Sequence, residues 1–376
     1  MNLVFLGDLN LNTNKDLVIS EDLLNLLNKA DFVSVNFEGP IISEASNPFP
    51  KVGPYLSQTL SVKDFLKTIK CSHLNLANNH IMDYGDEGLQ NTLFELSHLS
   101  FSGAGFTFEE AYRPAIFHKN DMKIALFSFA EAQFGVLKDD TKKSGFAWIG
   151  HPLAKRAVNS ASKTFDYVIV QIHAGLEMYE LPLPEWRLAF KEIVNNGADL
   201  VIGHHPHTIQ GTETFNSSDI FYSLGDFYIE DSNFNECSGG ILKVSFENNK
   251  LESSFYALKL EQDAIGVSTL EYSKNLLNSK SSLFNDDEQY LRRIEEICCK
   301  EWEENFSDYY SSSMSGLGTF FKFKNFKKLF FRLIRFLISP REIKRKNELL
   351  LLHNIGIETN RWVVERALNI SNKLDK

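Results

Sequence analysis

Three imidazoles fall within four residues in Gly203-His204-His205-Pro206-His207, where the apolar run Ala198-Asp199-Leu200-Val201-Ile202 gives way to a loop. Crowding of this kind is the usual sign of a metal site. Four other apolar runs end on a side chain that can bind metal: Leu3-Val4-Phe5-Leu6-Gly7-Asp8, Phe32-Val33-Ser34-Val35-Asn36-Phe37-Glu38, Leu74-Asn75-Leu76-Ala77-Asn78-Asn79-His80 and Tyr167-Val168-Ile169-Val170-Gln171-Ile172-His173. Asp8 and Glu38 offer hard oxygens, Asn79 a neutral oxygen, and His173, His205 and His207 borderline nitrogens. That mixture suits Mn, Fe or Zn better than Ca or Mg. Six ligands exceed one tetrahedral site. They fill a two-metal centre, with ions roughly 3.5–4 Å apart, if one carboxylate bridges, and such a pair delivers hydroxide near neutral pH.

Each candidate has a plainer reading. Asp and Asn at strand ends often cap the following turn, and loop histidines are often surface residues, but neither explains five strands ending alike. His80 is open to three readings: a ligand, a core histidine, or a general acid oriented by Asp83 three positions on, the last being favoured. His204 is the second choice to His205 as ligand. Glu177 and Tyr179, four and six residues beyond His173, either orient water and substrate or stabilise a turn.

Elements that would position these groups follow from the periodicity. Strands alternate with amphipathic helices expected at 17–29, 62–69, 88–99, 153–164 and 186–195, which is an α/β pattern. In such folds the carboxyl ends of parallel strands form the ligand crevice. From Asp219 the signal turns to strands, with a hairpin of 241–246 and 251–260 about Glu247-Asn248-Asn249-Lys250. Pro48-Phe49-Pro50-Lys51-Val52-Gly53-Pro54 follows the Glu38 strand as an expected rim of the site.

Gly7-Asp8, Asn36-Phe37-Glu38-Gly39-Pro40, Asn78-Asn79-His80-Ile81-Met82-Asp83-Tyr84-Gly85, His173-Ala174-Gly175-Leu176-Glu177, Gly197-Ala198-Asp199 running on to Gln210, and Tyr222-Ser223-Leu224-Gly225-Asp226-Phe227 stand in a specific order. In that order the chain resembles the CapA-type capsule and poly-γ-glutamate biosynthesis proteins, a branch of the calcineurin-like metallophosphoesterases, over approximately residues 1–260. The resemblance implies a two-sheet α/β sandwich. It also implies that Asp8 and His207 bind a first metal, Glu38 bridges, and Asn79, His173 and His205 hold a second. His80 would contact phosphoryl oxygens or protonate the leaving group, with Asp83 as its partner. The chain departs from the pattern at Asn10, where many superfamily members have histidine, at Glu38 in place of aspartate, and at Asp226, where asparagine is common. The departure at Asn10 makes weaker binding of one ion the expectation.

Composition fits a globular enzyme: 376 residues, 43% hydrophobic and 23% charged, enough for one large core and an appended region. The expected division is 1–262 for the metal-binding domain and 263–376 for a mainly helical region, with helices clearest at 286–305 and 344–353. Cys71, Cys237, Cys298 and Cys299 form no CxxC pair. With a first strand beginning at the N-terminus and no long apolar stretch, this makes a cytoplasmic location the expectation. Residues 319–346 carry ten Lys/Arg and one acidic residue, Glu342, in a chain of net charge −10. Within 320–338, Phe326, Phe330, Leu333, Ile334 and Leu337 share one helical face and Lys324, Lys328, Arg332 and Arg335 the other. This is the pattern either of a helix at a membrane interface or of one docked on the acidic domain.

Nucleic acid is not an expected partner, because nothing places this basic segment at the cleft. The expected function is metal-dependent, phosphoesterase-like hydrolysis of an anionic small molecule or polymer in capsule biosynthesis. The alternatives are hydrolysis or transfer at an amide bond of a polyglutamate-like polymer, and a non-catalytic assembly subunit.

Overall fold

The computed structural model describes residues 1–12, 17–43, 46–141, 144–230, 239–247, 250–261, 264–314 and 340–373. Two sheets dominate. In the larger, the neighbours run Val18–Ile19, Ala264–Val267, Lys250–Glu261, Gly240–Glu247, Asn2–Asn10, Phe32–Phe37, His73–Asn75 and Ser100–Ser102, with Asp226–Ile229 also pairing with Asn2–Asn10. The second runs Thr212–Phe215, Ser218–Phe221, Leu200–His204, Tyr167–His173, Met122–Ala130 and Ala115–Lys119. A three-stranded sheet of Ala104–Gly105, Gly145–Ala147 and Val136–Leu137 stands beside them. This is the two-sheet α/β sandwich that the motif order implies.

Period-two alternation makes the layers. Leu3 and Phe5 of the first strand pack with Ile124, Leu126, Ile169, Leu200, Ile202, Leu242 and Val244 between the sheets. Val4 and Leu6 face the other way, onto Leu23, Leu27, Phe65 and Leu66 of the covering helices. Four strands of the first sheet, Asn2–Asn10 through Ser100–Ser102, are mutually parallel. So are Met122–Ala130, Tyr167–His173, Leu200–His204 and Ser218–Phe221 in the second. Parallel pairing gathers carboxyl ends at one edge of each sheet, which is how short strands deliver side chains from distant parts of the chain to one place.

Most expected elements are present with shifted ends. The helix expected at 17–29 covers only Glu21–Asn28, because β-branched Val18 and Ile19 pair with Ala264–Val267 and Ser20 caps the helix by accepting from the Leu23 N–H. The helix expected at 88–99 is Gly85–Glu95, and the hairpin is Gly240–Glu247 with Lys250–Glu261. The helix Glu358–Asn372 is additional to those singled out from the sequence.

By contacts the chain forms two compact units, Met1–Phe49 with Tyr55–Asp287, and Pro50–Pro54 with Glu288–Lys376. The division after Asp287 differs from the boundary expected after 262. The helix Leu270–Ser281 is tied to the sandwich, its Ser273 and Ser281 hydroxyls accepting from the Ala257 and Thr212 N–H groups. The second unit is helical, with Tyr290, Ile294, Cys298, Phe306, Val363, Val364 and Ala367 buried. The amphipathic segment 320–338 lies outside the described residues. Among the described residues no helix is long and apolar enough to cross a membrane.

Candidate metal centre

The eight residues expected to bind metal or take part in catalysis, Asp8, Glu38, Asn79, His80, Asp83, His173, His205 and His207, lie close together. Glu38, just past the end of Phe32–Phe37, is fully buried and neither of its carboxylate oxygens makes a hydrogen bond. Three imidazoles surround its Oε1: His173 Nε2 at 3.8 Å, His80 Nε2 at 3.9 Å and His207 Nε2 at 4.0 Å. These separations exceed hydrogen-bond length but suit ligands of a shared cation. His173 Nε2 lies 2.8 Å from Asn79 Oδ1. Asp8 accepts from Asn36 Nδ2 at 2.8 Å and from the His205 N–H at 3.0 Å. His80 Nδ1 lies 2.7 Å from Asp83 Oδ2, which also accepts from the Leu56 N–H at 2.8 Å.

The loop after Leu200–His204 is bent to aim its histidines. His205 and His207 have φ of 96° and 52°, a region disfavoured for side chains other than glycine and costing about 1–3 kcal/mol per residue. Gly175 makes room: a Cβ there would lie 2.9 Å from Pro206 Cγ. His204 is also brought in, its Nδ1 3.3 Å from Asp8 Oδ1, although neither ring nitrogen makes a hydrogen bond.

Buried carboxylates crowd this pocket, Asp8, Glu38 and Asp226 among them. Burial, with Asp8, Asp226 and Glu177 nearby, pushes the Glu38 carboxyl well above its ordinary value despite His207. Burial likewise raises Asp226. Burial alone would depress His207, yet Glu38, Asp226 and Asp8 hold it well above the ordinary imidazole value. His205 is pushed down to about 4, chiefly by burial, and His173 is lowered by burial and the neighbouring imidazoles. Asp8 is lowered, since His204, His207 and the His205 N–H outweigh its burial. Buried carboxylates set among imidazoles, with the Glu38 oxygens making no hydrogen bond, form a donor set that divalent cations fit. Glu38, His205 and His207 offer ligand atoms within 4.8 Å of one another, as do Asp8, His207 and Asp226.

Two groups were not among the sequence candidates. Glu131, 1% exposed, follows the strand Met122–Ala130 and sets Oε1 3.5 Å from His205 Nε2. It obeys the same rule of a polar residue after an apolar strand. Asp226 was noted only as a departure from the family pattern; it lies 2.8 Å from His207 Nδ1. Glu177 Oε1 is 3.8 Å from His205 Nε2 on an exposed side chain, whereas Tyr179 is engaged through its carbonyl, which accepts from Gln210 Nε2. Asn10 uses its amide nitrogen on the Glu38 and Ser57 carbonyls, leaving a buried Oδ1 without a hydrogen bond.

Fold and donor set together define an α/β sandwich with a candidate divalent-metal centre at its strand ends. A profile of the family described as bacterial capsule synthesis protein PGA_cap matches residues 3–231, and the chain belongs to that family. It is similar to the capsule biosynthesis protein CapA of Bacillus anthracis, with 30% identity over 212 residues, 54% of this chain and 52% of the relative. It is also similar to the PGA biosynthesis protein CapA of Bacillus subtilis, with 30% identity over 204 residues, 54% of each. The chain thus spans about half the length of these relatives. Among solved structures it is similar to a 5′-nucleotidase precursor from Thermus thermophilus, with 13% identity, a TM-score of 0.40, and coverage of 74% of this chain and 58% of that one. So slight a likeness has no bearing on activity.

Proposed function

We propose that the chain is a metal-dependent hydrolase of bacterial capsule synthesis, phosphoesterase-like in chemistry, acting on an anionic group of a small molecule or cell-surface polymer. One observation carries this reading: the buried Glu38 carboxylate, free of hydrogen bonds, ringed at 3.8–4.0 Å by imidazole nitrogens of His173, His80 and His207. Asp8, Glu38 and His207 would hold one ion, and Glu38, Asn79, His173 and His205 the other, as Mn, Fe or Zn. Bound in pairs, such ions supply Lewis acidity and a hydroxide near neutral pH.

The remaining work falls to the protein. Asp83 holds His80 by Nδ1, so Nε2 faces the Glu38 side of the pocket, from which it can give a proton to the leaving oxygen. Phe49 and Leu56, flanking the proline-rich loop, donate their N–H groups to Asp83 O and Oδ2 and so brace that pair. The matched relatives' names support the capsule setting. The words "PGA biosynthesis" favour a second reading, attack on an amide bond of a polyglutamate-like polymer. The basic segment 320–338 is proposed as a peripheral contact with anionic membrane. Salt-sensitive sedimentation with anionic liposomes, lost when Lys324, Lys328, Arg332 and Arg335 are changed to glutamine, tests that contact.

Protein purified without chelator should carry two divalent ions. It should release phosphate from mono- or diesters in a reaction lost on chelation and restored by metal. Release of glutamate from polyglutamate instead selects the second reading. Absence of bound metal together with absence of hydrolysis would overturn both and leave a non-catalytic assembly subunit.

A further inference from the structure

His207 is gripped from one side only. Its Nδ1 is 2.8 Å from Asp226 Oδ1, while Nε2 lies 4.0 Å from Glu38 Oε1. Asp226 is brought there by the backbone. Its strand Asp226–Ile229 pairs in parallel with Asn2–Asn10, and Asp226 stands opposite Asp8. The Asp8 N–H donates to Gly225 O at 3.0 Å, and a Cβ on Gly7 would lie 2.0 Å from that same oxygen. Gly7 is therefore required for the approach that sets Asp226, 3% exposed, beside His207.

We propose that Asp226 is a positioning residue for His207: its carboxylate takes the Nδ1–H hydrogen bond, so that Nε2, turned to Glu38, is the ring nitrogen left to give up its proton to a cation. A carboxylate in that position also makes the imidazole a stronger donor to a cation. This rests on the two-metal reading above and assigns a role to a side chain which that reading does not use. The competing role, Asp226 as a ligand beside Asp8, would draw His207 Nδ1 to the ion. It would then leave the hydrogen-bond-free Glu38 facing the ring nitrogen that binds nothing.

The test uses full-length protein and three variants: Asp226→Asn, which keeps an acceptor oxygen but loses the charge, Asp226→Ala, and Asp226→Glu. Mn or Zn affinity is measured by competition with a chelator, saturating stoichiometry by elemental analysis, and metal-free stability by thermal unfolding. Asp226→Asn should weaken one ion about 10- to 100-fold while keeping full stoichiometry at saturation and a cooperative metal-free unfolding transition. Asp226→Ala should weaken it further and Asp226→Glu should recover most of the loss. Unchanged affinity in both Asn and Ala variants, or one ion fewer at saturation, overturns the positioning role. Failure of the unaltered protein to bind any ion overturns the two-metal reading with it, and so separates the two failures.

Discussion

Two buried polar layers lie one above the other on the same strands, and they differ in whether their hydrogen bonds close. In the lower layer, His73 is held on both sides, Nδ1 2.9 Å from Ser34 Oγ and Nε2 3.0 Å from Ser102 Oγ. Ser102 pairs with Ser128 at 2.8 Å, and Gln171 donates to Ser34 at 3.1 Å. Two residues further along those strands stand Asn36, Asn75 and His173, still linked, with Asn75 Nδ2 donating to Asn36 Oδ1 and Asn36 Nδ2 reaching both Asp8 and His173 Nδ1. One step beyond, at Glu38, the network opens, and Glu38 Oε1 and Oε2 and His205 Nδ1 have no hydrogen bond. Closed polar groups rigidify a core, whereas open buried ones cost stability unless something binds them. The lower layer has the character of scaffold and the upper layer that of a candidate site.

The sharpest attempt to break that contrast is at Glu38. Glu38→Gln is expected to lose both ions and all hydrolysis. Chelated, however, it should melt higher than the chelated unaltered protein at pH 7. Because the folded-state pKa of Glu38 is raised, its ionisation costs stability as pH rises above the unfolded value, and glutamine escapes that cost. Calorimetry of the two chelated proteins checks the sign.

His80→Ala should keep its metal yet lose about 10²–10⁴-fold in turnover of alkyl esters, and less on nitrophenyl esters, whose leaving oxygen needs no proton. Equal losses on both substrates would remove the acid role, and lost metal would make His80 a ligand.

The lower layer should respond in the opposite sense. His73→Ala removes one hydrogen bond each from Ser34 and Ser102, which keep Gln171 and Ser128 as partners, and should cost about 0.5–1.5 kcal/mol for each bond lost, with metal affinity unchanged. Burial pushes the His73 imidazole down to about 3, so protons bind only the unfolded chain between that value and about 6.5. Stability of the unaltered protein should therefore fall as pH drops through this window, by up to about 1.4 kcal/mol per unit. Denaturant titrations across pH should show this part of the slope missing in the variant. Smallest of all, Ser128→Ala removes one hydroxyl pair and should cost about 1 kcal/mol, again with metal binding intact.

These layers were unequally legible in the sequence. Asp8, Glu38, Asn79, His173, His205 and His207 could be read because each closes an apolar run, a signal held within a few residues. The Ser34–Gln171 contact joins positions 137 apart across two sheets, and no local pattern announces it. The placement of Asp226 likewise needs the parallel pairing of its strand with Asn2–Asn10. The α/β alternation was legible from period and length. The two-residue strand Val18–Ile19 was not, being too short to show alternation and taken up in the helix pattern that follows. The expected boundary after 262 marked a real change of pattern, yet a helix can follow a strand and still pack on the sheet before it, as Leu270–Ser281 does.

The central claim is that Glu38 is the shared ligand of two ions. Anomalous diffraction from crystals of the protein loaded with Mn or Zn tests it directly. Two peaks are expected, both about 2.0–2.2 Å from Glu38 oxygens, one also reached by Asp8 and His207 and the other by Asn79, His173 and His205. Peaks that bypass Glu38, or none in the pocket at saturating metal, would contradict it.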